Sequence, residues 1–346
     1  MDDRLKVLMT GAGAPGGPGI IKALQCDERI WLHVADMNVN ASGCYLCENS
    51  HLIPKASDDN FITFMLELCA ALSIDVIFPL VTSELFKFSV HKDQFEAIGV
   101  NVIVSDFDSL SIANNKGKLY EHLSDSGIDA PEFRIVDCKE SFENAVYELG
   151  YPRIPVVMKP CLGNGSRGIR ILDPSKDRFD LLFNSKPNTL YTSLEEVLAS
   201  IGNRNIPDLV VSEYLPGDEL TIDTIVEKGV MKDCLIRRRD LTNGGISIAG
   251  RFIKEDQVSR YIEKITLSLP GLHGAIGFQV KQDVNGIYQI LECNPRIQGT
   301  SVAALGLGIN LPLRAINVAL SKTNSLLGRV DGLGFVRYYN EVFYEY

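Results

Sequence analysis

The residues from Val156 to Leu172 constrain this chain more than any other stretch. They read VVMKPCLGNGSRGIRIL, which is an apolar strand that delivers a lysine, a glycine-rich loop and a second apolar strand. Such a hairpin can surround an anion with its backbone N–H groups, and Lys159 would lie beside that anion. A Walker A loop differs, because its lysine follows the glycines and a helix comes next. The stretch therefore predicts a triphosphate clamp, and an ordinary glycine hairpin is the alternative.

Composition limits the kind of protein that carries this clamp. The chain has 346 residues, which is long enough for two or three lobes with their own cores. The net charge of −10 disfavours a nucleic acid or an anionic membrane as partner, because both would be repelled. No stretch approaches the ~18 apolar residues of a membrane span, and the opening residues, MDDRLKVLMTGAGAPGG, lack the apolar core of a signal peptide. We therefore expect a cytoplasmic protein with small-molecule partners.

Cysteine usage agrees with that compartment. The 8 cysteines are scattered along the chain and form no disulfide framework. Cys44 and Cys47 form one CxxC pair, but no second pair or nearby histidine completes a zinc site. We expect reduced thiols.

The N-terminal stretch carries a glycine motif with two interpretations. The strand LKVLMT runs into GAGAPGGPG, where Gly11, Gly13 and Gly16 match GxGxxG, and Asp36 ends the next strand. That spacing is typical of a dinucleotide site, in which the acid holds a ribose, and it makes NAD binding one hypothesis. Glycines at this turn also let the first helix pack on its sheet, which is the alternative. Alternating strands and helices up to residue 113 predict a parallel sheet with helices on both faces.

The next segment, NNKGKLYEHLSDSGIDAP, reads as a helix capped by asparagine and closed by Gly127. Lys116 falls in its first turn, where the helix dipole disfavours a cation. An anionic ligand would account for that lysine, and an exposed, solvated lysine is the alternative.

A second constellation suits a metal ion. In YQILECNPR, Glu292 and Asn294 project from one face of a strand, and Gln279 on the preceding strand is placed beside them. One carboxylate and two amides suit Mg²⁺, which prefers few protein ligands and completes its shell with water and phosphate oxygens. Arg296 follows and could stabilise charge on a transferred phosphoryl group.

These motifs together resemble the ATP-grasp superfamily, and specifically proteins like the large subunit of carbamoyl phosphate synthetase. The quoted segments NNKGKLYEHLSDSGIDAP, VVMKPCLGNGSRG, SEYLPGDELTID and ILECNPRIQGTS occur in the family's order. The resemblance implies an α/β fold with an N-terminal Rossmann-like pre-ATP-grasp domain over 1–113 and an ATP-grasp domain over 114–346. The second domain would contain an α+β lid at about 131–215 and a C-terminal α+β subdomain.

The resemblance also implies roles for individual residues, with ATP and Mg²⁺, or Mn²⁺ in its place, as cofactors. Lys116 and Lys159 would contact ATP phosphates, and Arg296 and Lys159 would act in catalysis. The loop that closes over the phosphates would be formed by Gly163, Gly165, Ser166 and Gly168, and the hinge that recognises adenine by Glu213, Tyr214 and Leu215. Glu219 would bind the ribose. The metal ligands would be Gln279, Glu292 and Asn294.

The activity implied is an ADP-forming carboxylate–amine ligase, in which phosphorylation of a carboxylate gives an acylphosphate that an amine attacks. Amino acids, peptides and sugar-linked carboxylates are the substrate classes expected. The loop LTNGGIS lacks the histidine that the synthetase proper carries there, and Arg238, Arg239 and Arg251 are candidates for holding an anionic substrate. Three alternatives stay open: a kinase, a carbamoyl-phosphate-forming enzyme whose second site a homodimer would supply, and a non-enzymatic nucleotide or NAD-binding protein.

Overall fold

A computed structural model provides the structure, which describes residues 4–163, 167–184 and 190–345. Its strands are β1 (Leu5–Thr10), β2 (Ile30–Asp36), β3 (Ser50–Leu52), β4 (Val76–Pro79), β5 (Asn101–Val102), β6 (Phe133–Val136), β7 (Val156–Pro160), β8 (Arg170–Leu172), β9 (Tyr191–Thr192), β10 (Leu209–Glu213), β11 (Glu219–Glu227), β12 (Val230–Asn243), β13 (Ile246–Ile253), β14 (Gly274–Gln282), β15 (Tyr288–Asn294) and β16 (Gly334–Val336).

The helices alternate with these strands in the N-terminal part of the chain. They are α1 (Gly17–Gln25), α2 (Phe61–Leu72), α3 (Thr82–Val90), α4 (Lys92–Glu96), α5 (Phe107–Ala113), α6 (Lys116–Asp125), α7 (Lys139–Glu148), α8 (Arg178–Phe183), α9 (Leu194–Ile201), α10 (Asp256–Leu267) and α11 (Leu311–Ala319). Two 3₁₀ helices cover Ser42–Tyr45 and Ser301–Leu307.

The first sheet is parallel, with its five strands in the order β3-β2-β1-β4-β5. Its central strand β1 is apolar on both faces: Val7 and Met9 belong to one buried cluster and Leu8 to another. A strand covered on both faces reads as a continuous apolar run because neither set of alternating side chains meets water. The predicted Rossmann-like domain is confirmed.

The second sheet is mixed and contains the predicted hairpin. Its order is β6-β10-β7-β8-β9, and β7 pairs antiparallel with β8, with Val156 opposite Leu172. Helices α7 and α9 supply apolar residues that pack on it, among them Phe142 and Leu194. This sheet with its helices is the small α+β part that the sequence predicts.

The third sheet has six strands in the order β15-β14-β11-β12-β13-β16. Here the sequence predicts a loop where the structure has a hairpin, because β12 continues through Asn243 and β13 returns from Ile246. Gly244 and Gly245 between them have φ of +54° and +79°. Positive φ at both central residues matches the twist of a tight hairpin, and Asn-Gly-Gly was the signal for it.

The chain divides into two compact units. One comprises residues 1–111, 220–278 and 294–346, and the other comprises 112–219 and 279–293. The domain limits expected from the sequence, at residue 113 and around 131–215, stay predictions.

No single helix in the described ranges is both long and apolar enough to cross a bilayer. Only Ser301–Leu307 and Leu311–Ala319 taken together reach that length, across a bend of 105°.

Candidate active site

Lys159 is the most buried cation of the second unit's candidate site. It lies on β7 and is only 4% exposed, and its Nζ donates a hydrogen bond to the Tyr120 hydroxyl at 2.6 Å. A longer contact of 3.3 Å reaches the carbonyl of Leu291. Burial, and secondly the nearby Lys116, lower the pKa of Lys159 to about 7. The ammonium form is therefore costly here until an anion joins it.

Lys116 begins α6 and points to the same place. Asn115 caps this helix by accepting from the N–H of Lys118 at 3.0 Å, as the sequence predicts. The Lys116 backbone N–H donates to the Cys161 carbonyl at 2.9 Å, which ties the helix start to the end of β7. Its Nζ donates to the Gly163 carbonyl at 3.0 Å and lies 3.3 Å from the Glu292 carboxylate.

The structure thus brings Lys116, Lys159, Gly163 and Glu292 together within one unit. Gly168 lies in the same hairpin loop with φ of +77°, and a Cβ there would lie 2.6 Å from the Pro160 ring. Glycine is required at that position for both reasons. Gly165 and Ser166 lie outside the described residues.

This cluster fits a polyphosphate and a magnesium ion. Two buried ammonium groups beside one carboxylate leave excess positive charge that phosphate oxygens would neutralise. Within the described ranges no three His, Cys, Asp or Glu side chains converge as a metal cage. Glu292 and the amide of Gln279, which belong to one unit, would therefore hold Mg²⁺ only together with water and phosphate oxygens, as that ion prefers.

The other proposed metal and catalytic residues are placed as follows. Gln279 lies on β14, the neighbour of β15 in the sheet order, and belongs to the same unit as Glu292. Asn294 is the last residue of β15, two positions after Glu292. Both Asn294 and Arg296 belong to the unit that contains residues 1–111.

The predicted adenine hinge follows β10. Glu213 forms two hydrogen bonds with Glu132, each 2.9 Å long. The Glu213 N–H donates to the Glu132 carbonyl, and the Glu213 Oε1 accepts from the Glu132 N–H. The Lys281 ammonium lies 5.1 Å from the centre of the Tyr214 ring. Burial lowers the pKa of Lys281, while nearby Glu219 raises it. Leu215 is buried at the end of this segment.

Sequence reasoning missed Tyr120 and Lys281. The Tyr120 hydroxyl lies 3.0 Å and 3.1 Å from the carbonyls of Ile290 and Leu291, so it can donate to one of them while accepting from Lys159. Spacing held a signal for it, because a residue four positions after Lys116 lies on the same helix face. Lys281 had no comparable signal, since a lysine near the end of a strand is usually solvated.

The glycine motif of the first unit packs against the chain itself. A Cβ on Gly16 would lie 2.3 Å from the Cα of Gly299, so the Gly299 backbone occupies the space beside Gly16 at the start of α1. The two oxygens of Asp36 accept from the N–H groups of Gly13 at 2.8 Å and Asn38 at 2.9 Å. A dinucleotide needs both that space and that carboxylate. The packing interpretation of these glycines is therefore favoured over NAD binding.

A buried polar network holds the segment that carries Arg296. Asp223 accepts from the Ser301 hydroxyl at 2.6 Å, from Gln298 at 3.2 Å and from Arg237 Nε at 2.7 Å. Arg296 itself donates from Nη1 to the Ile297 carbonyl at 2.9 Å and from Nε to Thr82 Oγ1 at 3.4 Å.

The three other arginines singled out from the sequence lie on β12 and β13. Arg251 forms a bidentate salt bridge with Asp240, in which Nε and Nη2 each lie 3.0 Å from a carboxylate oxygen. The Nε of Arg238 lies 3.5 Å from the same carboxylate. Arg239 contacts the Gly245 carbonyl. Their role in holding an anionic substrate stays a prediction.

Comparisons with known proteins agree with this fold. Residues 205–334 match a family described as "ATP-grasp in the biosynthetic pathway with Ter operon", and residues 7–103 match a PylC-like N-terminal domain. The large chain of carbamoyl phosphate synthase from Clostridium acetobutylicum is 24% identical over 249 residues, which are 68% of this chain and 21% of that protein. The chain thus spans about a fifth of the length of this curated relative.

Two solved structures share the fold. One is the ADP complex of an N5-carboxyaminoimidazole ribonucleotide synthetase, with a TM-score of 0.71, 14% identity, and coverage of 95% of this chain and 80% of that one. The other is an L-amino acid ligase from Bacillus licheniformis, with a TM-score of 0.63, 16% identity, and coverage of 92% and 74%.

The chain therefore shares the fold of these two structures, and residues 205–334 resemble an ATP-grasp family. It is also similar to the carbamoyl phosphate synthase large chain, and residues 7–103 resemble a PylC-like N-terminal domain, as the sequence motifs predict.

Proposed function

We propose that the protein is an ATP-dependent, ADP-forming ligase that activates a carboxylate as an acylphosphate and joins it to an amine. The observation that carries the proposal is the buried pair Lys159 and Lys116 beside Glu292. The two ammonium groups repel each other, and a bound anion would offset that repulsion.

The chain's own residues account for the steps of such a reaction. Lys159 and Lys116 would bind and orient the phosphates, and Glu292 with Gln279 would hold Mg²⁺; Asn294 stays a predicted further ligand. ATP supplies the phosphoryl group when bound. The role that we propose for Arg296 is to lower the cost of the charge that develops on the transferred group. Positioning and charge neutralisation, rather than a protein nucleophile, are the main catalytic terms in phosphoryl transfer.

Known relatives support this choice of reaction. Both solved structures reported above carry the names of bond-forming enzymes: one is a synthetase in complex with ADP, and the other is an L-amino acid ligase. By analogy with them, we propose small-molecule carboxylate and amine substrates for this chain, with ATP and Mg²⁺ as cofactors.

The test is ADP release with ATP and Mg²⁺ across pooled carboxylates, with hydroxylamine present to trap an acylphosphate as a hydroxamate. Glu292→Gln removes the metal-binding carboxylate, and Glu140→Gln, at an exposed position on α7, is the matched control. We expect hydroxamate with one pool, a loss of about 10² to 10³ in rate in Glu292→Gln, and no change in Glu140→Gln.

The other outcomes distinguish the alternatives. ADP without hydroxamate would indicate a kinase with a stable phosphorylated product. Tight nucleotide binding with no ADP from any pool would contradict the ligase and favour a nucleotide-binding protein without turnover.

A further inference from the structure

Strand β16 lies at the edge of the third sheet, and one side of its backbone faces no other strand. Among the described strands it pairs with β13 alone. The N–H of Arg337 donates to the Ile248 carbonyl at 2.7 Å, so the hydrogen bonds to β13 continue one residue beyond β16. Because backbone groups alternate in direction along an antiparallel strand, Val336 and Tyr338 turn theirs to the open side. An open edge of this kind is a template for another strand.

Large side chains at and after β16 are left uncovered by the rest of the described chain. Residues 337–345 continue from the strand without a helix, turn or bend. The exposed fractions are 77% for Val336, 81% for Tyr338, 89% for Tyr339 and 91% for Phe343. Contiguous apolar surface of this kind is rare on a monomer and indicates an interaction site.

The order of residues along this stretch is complementary to its own reverse. Residues 335–343, which we call the self-complementary segment, read FVRYYNEVF. Two antiparallel copies aligned on Tyr339 place phenylalanine opposite phenylalanine, valine opposite valine, and Arg337 opposite Glu341. The charged pair forms twice, once on each side of the centre. Opposite charges directly across an antiparallel pair stabilise it, and like charges destabilise it.

The direction of the backbone hydrogen bonds fits the same alignment. In this register Val336 lies opposite Val342, and Tyr338 lies opposite Asn340. The groups that Val336 and Tyr338 turn to the open side therefore meet outward-facing groups of the second copy. A shift by one residue would instead bring the outward groups of one strand opposite inward groups of the other.

The two charges that would meet are free to do so. Arg337 donates from Nη2 to the Pro15 carbonyl at 3.1 Å, and its other side-chain N–H groups remain for a carboxylate. Glu341 is exposed, and no residue of the described ranges forms an ion pair with its carboxylate. In the register above, Arg337 and Glu341 form a non-hydrogen-bonded pair, in which the side chains approach most closely.

We propose that the self-complementary segment is the interface of a homodimer, in which two copies pair antiparallel about a two-fold axis at Tyr339. Three aromatic side chains of about 150 to 250 Å² each, with Val336 and the charged pair, approach the ~800 Å² that one partner contributes to a standard interface. Two-fold pairing occupies the open edge of both copies, so that assembly stops at two. The dimer does not depend on the proposed reaction.

The test is analytical ultracentrifugation of the full chain over a range of concentrations, combined with charge reversal. Glu341→Arg and Arg337→Glu each place like charges opposite each other twice in the dimer. The double variant with both changes restores two attractive pairs in exchanged positions. Glu96→Arg, at an exposed position on α4, is the matched control. Glu341→Arg removes no ion pair of the described monomer, so its effect is not one of folding.

We expect the wild type and Glu96→Arg to be dimers at about 10 µM, because interfaces of this size bind in the micromolar range or more tightly. The dissociation constant should rise about tenfold or more in each single variant and return to within about threefold of the wild type in the double variant. A double variant as weak as the single variants, or equal constants in all of them, would overturn the inference. A monomeric wild type would also overturn it and would leave the open edge to a strand of another protein.

Discussion

The Tyr120 hydroxyl receives a 2.6 Å hydrogen bond from Lys159 and lies 3.0 Å from the carbonyl of Ile290. One helix residue therefore connects a strand of the clamp hairpin to β15, which carries Glu292. This contact fixes the lysine before any nucleotide arrives, so that less conformational freedom is lost on binding.

Tyr120→Phe should weaken nucleotide binding while leaving the fold intact. The ring remains, but Lys159 loses its closest partner, and a buried donor without its acceptor costs about 1 to 3 kcal/mol. We expect the affinity for ADP, measured by calorimetry, to fall by about tenfold. Tyr147→Phe, at a residue that is 52% exposed, should leave it unchanged. Equal affinities in both variants would show that Tyr120 does not position the lysine.

Lys159→Met should make the unliganded protein more stable, in a manner that depends on pH. Burial first, and Lys116 second, lower the pKa of Lys159 to about 7 from its ordinary 10.5. Between these two values the unfolded chain binds a proton that the folded protein does not, so the stability of the wild type falls as the pH decreases toward 7. Methionine carries no titrating group, so the stability of the variant does not fall in this way as the pH decreases.

We therefore expect the melting temperature of Lys159→Met to exceed that of the wild type at pH 6, and the difference to shrink toward pH 10. Activity should be lost at both values. Lys118→Met, at an exposed position on the same helix as Lys116, is the control and should show neither effect. A constant difference across the pH range would contradict the assigned cause.

Glu84 should make the wild type less stable as the pH rises. Its folded-state pKa of about 7 lies above the ordinary value of 4.5. Between these values the folded protein binds a proton that the unfolded chain has released, so the contribution to stability is present below pH 4.5 and is lost as the pH rises through 7.

Glu84→Gln removes this titration. The free energy of unfolding of the wild type, from urea titrations, should fall relative to the variant between pH 5 and pH 8, by on the order of 1 to 3 kcal/mol. Parallel curves for the two proteins would mean that the carboxyl is not held in its protonated form by burial.

Gly16→Ala tests the packing interpretation of the glycine motif. The backbone φ of Gly16 is −99°, which any residue adopts, so the expected effect comes from the clash with Gly299 alone. Displacement of the segment that carries Arg296 should cost about 1 to 3 kcal/mol in stability and should lower the rate of ADP formation. ADP affinity should not change.

Gly328→Ala is the matched control, because a Cβ there meets nothing within 4 Å. If Gly16→Ala instead abolished binding of NAD by an otherwise unaffected protein, the dinucleotide hypothesis would be restored.

The sequence alone predicted the fold and the resemblance to ATP-grasp proteins, because its signals are local. The hairpin from Val156, the capped helix that begins at Lys116 and the pair of Glu292 and Asn294 each depend on spacing within one or two elements. Periodicity and turn chemistry report such spacing directly. The alternation of strands and helices likewise predicted the parallel sheet that the structure contains.

Tertiary structure decided what distant residues do to one another. Gly16 and Gly299 are far apart in sequence, yet their contact favours a packed turn over a dinucleotide site. The contact of Thr10 with Glu84, and that of Tyr120 with Lys159, are also set by how sheets and helices pack. Such contacts depend on burial and on the three-dimensional order of strands, which no short window of sequence contains.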